Sequence, residues 1–136
     1  MTQAADIFLH IMSFLSFLIE SIGMLTLFIV GFIWATPHRE ISLIRSGNVA
    51  AAVGLGGAII GFVLPLACVI AHSISRIDVA IWGLVALVVQ IGVFQVLRCF
   101  LRSLPADIAS GNIGEAIFAA SLSIGVGVLN AACMVP

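Results

Sequence analysis

The chain has 136 residues, 62% of them hydrophobic and 8% charged, and a formal net charge of −1. An ordinary soluble domain is roughly 25% charged, so this chain has too little polar surface to remain a globule in water, and the bilayer is its expected solvent. Five dispersed arginines and no lysine form no basic patch, which excludes nucleic acid as a partner.

Four apolar runs, at 7–34, 49–71, 79–101 and 113–135, are long enough to cross a hydrocarbon core, which takes about 20 helical residues. They are continuous rather than alternating with the two-residue period of a membrane barrel strand. The expected fold is therefore all-α and transmembrane, a four-helix bundle in a single domain over 1–136. Too little chain remains outside the runs for an extramembrane catalytic module.

The first run is expected to stay attached rather than act as a cleaved signal, because residues 1–6 carry no positive charge and the run exceeds the usual apolar core of a signal peptide. Near its middle sits Glu20, and an ionised side chain in lipid is costly unless it is paired or hydrated. At the helical period, His10, Ser13, Ser16, Glu20 and Gly23 fall within an arc of about 140°. This stripe is expected to face the bundle interior. Gln90 and Gln95 of the third run and Asn130 of the fourth supply amides, and a hydrogen bond from Glu20 to an amide of the third run is expected. The bland alternative is an interhelical polar latch worth ~0.6 kcal/mol.

Between the first two runs lie Arg39, Glu40 and Arg45, and at or after the end of the third lie Arg98 and Arg102, with Arg76 alone on the other side. The positive-inside rule then places both arginine-bearing connections in the cytoplasm and both termini outside.

Ser46-Gly47-Asn48 introduces the second run and Ser110-Gly111-Asn112 the fourth, an offset of 64 residues. Across 46–61, six of sixteen residues recur at that offset, Ala52/Ala116, Ile60/Ile124 and Gly61/Gly125 among them. A period of two spans makes this a parallel two-helix repeat, with units at 1–72 and 73–136. The first and third spans match poorly: Glu20 falls on Leu84. Asn48 and Asn112 fit helix N-caps, and Asn112 with Glu115 has capping-box spacing; a polar ring at a pore mouth is the functional alternative.

The second run carries Gly57-x-x-x-Gly61 and the fourth Ala119, Ser123, Gly127 and Ala131 at four-residue steps. Small residues at this spacing let membrane helices approach closely. Gly57, Gly61, Ser123 and Gly127 are thus the expected packing positions, either between these two helices or between protomers. Pro65 is a candidate kink in the second run.

Cys68, Cys99 and Cys133 have no C-x-x-C spacing, and His10, His38 and His72 form no i, i+4 pair. No metal site, cofactor or disulfide is expected from them. No nucleophile–base pair or phosphate loop can be assembled either, so an enzyme is not expected.

The run Glu40-Ile41 through Ser46-Gly47-Asn48-Val49-Ala50-Ala51-Ala52, then Gly56-Gly57-x-x-x-Gly61, and the terminal Gly125-x-Gly127-x-Leu129-Asn130-Ala131-Ala132-Cys133-Met134 resemble the YjfL family of small bacterial inner-membrane proteins. The resemblance covers most of the chain. It implies a four-helix inner-membrane protein with a repeated two-helix unit, in a family with no established activity whose genes often neighbour those of membrane-stress proteins similar to phage-shock protein A. It transfers no catalytic residue.

Two functions are expected. The first is a non-enzymatic subunit that anchors or senses for a peripheral membrane-stress protein, docked at Arg39, Glu40 and Arg45. The second is an oligomeric ion or proton channel, or small transporter, built on Glu20 with His10, Gln90, Gln95 and Asn130. Four helices of this size hardly enclose a pore, so a channel requires a homo-oligomer.

Overall fold

A computed structural model describes residues 2–37 and 39–135, so His38 lies outside the described residues. The elements are α1 (Gln3–Ala35), α2 (Glu40–Arg45), α3 (Val49–His72), α4 (Arg76–Phe100), α5 (Leu104–Ala109) and α6 (Ile113–Cys133). The described residues contain no strand. α1, α3, α4 and α6 are each long and apolar enough to cross a membrane. The molecule is a multi-pass transmembrane four-helix bundle.

The connections after α1 and after α4 differ from simple loops. Each folds a six-residue helix, and the order long, short, long occurs twice along the chain. α2 and α5 have the same spacing as α3 and α6, because Ser-Gly-Asn performs the same two jobs in both places. Gly47 and Gly111 have φ of 91° and 92°, in the left-handed region that a side chain disfavours. Gly47 donates to Ile44 O (3.0 Å) and Asn48 to Leu43 O (2.9 Å), while Gly111 donates to Ile108 O (3.0 Å) and Asn112 to Asp107 O (2.9 Å). This is the Schellman pattern, which ends the short helix by satisfying its last carbonyls. The asparagine then starts the next helix: Asn48 Oδ1 accepts from Ala51 N at 2.9 Å and Asn112 Oδ1 from Glu115 N at 3.3 Å.

The most extensive packing joins α3 to α6. A Cβ at Gly57 would stand 2.5 Å from Ala120 Cα, and one at Gly127 would stand 2.7 Å from Gly61 Cα. The backbones therefore meet without intervening side chains, which is how membrane helices gain dispersion energy where lipid offers no hydrophobic drive. Gly57 lies by Ala120, Gly61 by Ser123 and Gly127, and Cys68 by Ala131, so the two helices run parallel. α4 runs antiparallel to both.

α1 lies against α3 and α4 through a cluster of rings. Phe28 stacks on Phe62 with centroids 4.5 Å apart and planes at 9°, and Phe32 meets Phe94 edge-on at 5.2 Å. Met24 packs toward Gly83, and Gly31 toward Ile91. These pairs fix the depth of every residue on α1. Ser21, one turn further out, shares a cleft with Ile70, near the end of α3.

At ~1.5 Å per residue, the 33 residues of α1 span ~50 Å, against ~36 Å for the 24 of α3 and ~32 Å for the 21 of α6. The surplus projects from one end. Residues 3–13, roughly 16 Å of helix, lie beyond the α3–α4 turn, with Ile7 55% and Phe8 60% exposed.

Candidate functional site

The polar residue at the centre of the bundle is Gln90, midway along α4. It is 1% exposed, and its Nε2 donates to Ser123 O on α6 at 2.9 Å. A Cβ on Gly61 would collide with that amide, so the absent side chain of Gly61 is what admits Gln90 between α3 and α6. Its Oε1 has no hydrogen-bond partner. Gln90, Gly61, Ser123 and Gly127 form one tightly packed junction in which a polar side chain ties three helices together.

Glu20 is elsewhere. One turn outward from Met24, it stands near the level of Val79, at the first turn of α4, because the overhang moves the middle of α1 to one end of the bundle. It is half-buried, with Oε2 enclosed and unpartnered. The expected bond to an amide of the third span is not formed: Gln90 binds Ser123, and Gln95 Nε2 donates to Ala35 O at 3.2 Å. Arg98 donates to the same carbonyl and to Gln95 Oε1, each at 3.2 Å. Gln95 and Arg98 therefore cap the C-terminus of α1, where a cation meets the negative end of the helix dipole.

The expected inward stripe is also turned. Met24, Phe28 and Phe32 are the buried residues of α1, and the stripe lies about 70° round from them at the helical period. His10, Ser13 and Gly23 are exposed, and Ser16 is half-buried. Ser16 bonds to Ser13 O within its own helix. Asn130 on α6 is half-buried with Nδ2 enclosed and unpartnered. The five polar candidates are spread along the bundle: His10 is on the overhang, Glu20 and Asn130 lie toward one end, Gln90 at the centre and Gln95 at the opposite end.

At that opposite end the two Ser-Gly-Asn segments face one another across a cleft of about 370 Å³. Asn48 reaches across it, its Nδ2 donating to Ile108 O (3.1 Å) and Ala109 O (3.0 Å) of α5. Asn112 is exposed, and its side chain makes the cap bond. Its capping box is half formed, because the Asn112 N–H that Glu115 would receive is taken by Asp107 O. Of the expected docking residues, Arg39 and Arg45 are exposed, whereas Glu40 is 3% exposed and turned into the protein.

The cysteines are free. Among the described residues no group of three or more His, Cys, Asp or Glu side chains could hold a metal ion. Among the described residues, Cys68 Sγ lies 3.8 Å from His72 Nδ1. That nitrogen lies 2.8 Å from Cys68 O. A carbonyl only accepts, so Nδ1 carries the proton and cannot take one from the thiol. Sequence reasoning missed the Gln95–Arg98 cap, although an amide and an arginine three residues apart at the end of an apolar run were its signal.

No solved structure matches the chain. It is similar to the UPF0719 inner membrane protein YjfL of Escherichia coli strain K12 and of Escherichia coli O157:H7. Each is 31% identical over 124 residues, covering 91% of this chain and 94% of the relative. A model of the Domain of Unknown Function family DUF350 matches residues 6–134, and the chain belongs to that family.

Proposed function

We propose that the protein is a non-enzymatic inner-membrane subunit, with both termini outside the cytoplasm, that anchors or senses for an envelope or membrane-stress system. The observation that carries this is the overhang of α1. Past its own bundle, the helix exposes Ile7, Phe8, Leu9, Ile11 and Met12 over about 200° of its circumference, with Gln3, Asp6, His10 and Ser13 on the remaining face, and so wide an apolar face is most stable against another apolar surface. A second copy of α1 answers that need, and the protein then works as a homo-oligomer. The name of its E. coli relatives supports the inner membrane, and exposed Arg39, Arg45 and Arg102 leave cationic handles for a peripheral protein at the cytoplasmic face.

Deletion of residues 3–13 tests this reading. The shortened protein should keep its helical bundle but run on native gels with fewer protomers per particle than wild type. An unchanged number of protomers would overturn assembly through α1.

A second function, ion or proton conduction, is favoured by the enclosed and unpartnered Oε2 of Glu20. In an oligomer, the exposed members of the stripe, His10, Ser13 and Gly23, would line the space between protomers beside half-buried Glu20.

A further inference from the structure

At the outer end of the bundle, α3 and α6 both terminate and α4 begins. Between them lies a cleft of about 290 Å³, lined by His72, Ser73, Asp78, Trp82 and Met134, with Val69 and Ile74 at its apolar edge. The parallel course of α3 and α6 gives this cleft its sign. Two negative dipole ends, those of α3 and α6, meet here the one positive end of α4, and Asp78 in the first turn of α4 offsets that end.

The side chains add acceptors and polarisable surface. Asp78 and Trp82 are one turn apart on α4, so carboxylate and indole share one face. The Nδ1 of His72 is committed as donor to Cys68 O, which leaves Nε2 as an acceptor. Met134 contributes a thioether. Among the described residues, no arginine lines the cleft. A carboxylate, a ring nitrogen acceptor, an indole face and a thioether form the set that recognises an organic ammonium, which needs both hydrogen-bond acceptors and a π face for its positive methylene or methyl shell.

We propose that this cleft binds the head of a small organic ammonium ion. The same chemistry has two sources at a membrane surface, the ethanolamine head of a phospholipid and a soluble amine. The site is independent of assembly through α1.

Trp82 is the natural reporter once the other tryptophan is removed by Trp34→Phe, at the far end of α1. In that background the protein would be placed in nanodiscs of phosphatidylglycerol alone and titrated with ethanolamine hydrochloride or tetramethylammonium chloride, with sodium chloride at matched ionic strength. A second set of nanodiscs would contain phosphatidylethanolamine. A saturable change in Trp82 emission with the soluble ammonium ions, but not with sodium, assigns a soluble ligand. A change produced only by the phosphatidylethanolamine discs assigns the lipid head. In either case Asp78→Asn should weaken the response by roughly tenfold or more, the loss of one charge-assisted contact. Asp78→Glu, which keeps the charge, should retain most of it and guards against misfolding of the first variant. No response in either arm, or a response equal in Asp78→Asn or reproduced by sodium, overturns the proposal.

Discussion

Adding one methyl group at Gly127 should destabilise the bundle, while the same change at Gly125 should not. The Cβ of Gly127→Ala would stand 2.7 Å from Gly61 Cα and 2.8 Å from Gly61 C, both backbone atoms of α3. Carbon atoms rest at about 3.5–4.0 Å, so the helices must separate by at least ~0.8 Å. A gap of that size forfeits a quarter to a half of each neighbouring dispersion contact. It also draws Ser123 O away from Gln90 Nε2, now at 2.9 Å. Overpacking of this kind costs about 1–3 kcal/mol, only partly offset by the ~0.5–1 kcal/mol by which alanine is the better helix former. A Cβ at Gly125 meets nothing within 4 Å, so Gly125→Ala should be neutral or slightly stabilising. Reversible unfolding of both variants, by SDS titration from bicelles and followed by circular dichroism, measures the difference. Equal stability of Gly127→Ala and Gly125→Ala would refute the close approach of α3 and α6.

Asn48→Ala should cost more than Asn112→Ala, by about 1–2 kcal/mol in the same assay, because Asn48 loses its cap and its two bonds to α5 whereas Asn112 loses a cap alone. Arg98→Ala should raise amide hydrogen exchange in the last turn of α1, an effect of roughly 0.5–1 kcal/mol, with little change in α6. Under the subunit function, proteoliposomes carrying wild type or Glu20→Gln should show equal, background proton and cation flux; flux in wild type that the variant abolishes would transfer the case to a channel.

The membrane spans were legible because apolar runs of more than twenty residues leave a helix no alternative in lipid. The closeness of α3 and α6 was foreshadowed by Gly57, Gly61, Ser123 and Gly127, though only the structure shows that the partner lies in the same chain. α2 and α5 were not foreseen. Six residues are too few for a periodic signal, yet buried Leu104 and Ile108, four apart, and the glycines at the ends of both helices carried it. The depth of Glu20 was unreadable for a different reason. A sequence states where a residue lies along its helix, but the register of α1 is set by Phe28 on Phe62 and Phe32 on Phe94, pairings between helices that no local pattern encodes. For the same reason Gln90 and Gln95, five residues apart, looked equivalent while one ties the core and the other caps a helix.

A photo-crosslinking residue placed at Phe8 or Phe14, compared with one at buried Phe62, tests assembly through α1 most directly when irradiated in native membranes. The proposed function predicts a discrete adduct at twice the monomer mass from Phe8 and from Phe14, and none from Phe62. Lipid adducts alone at both α1 positions would contradict it.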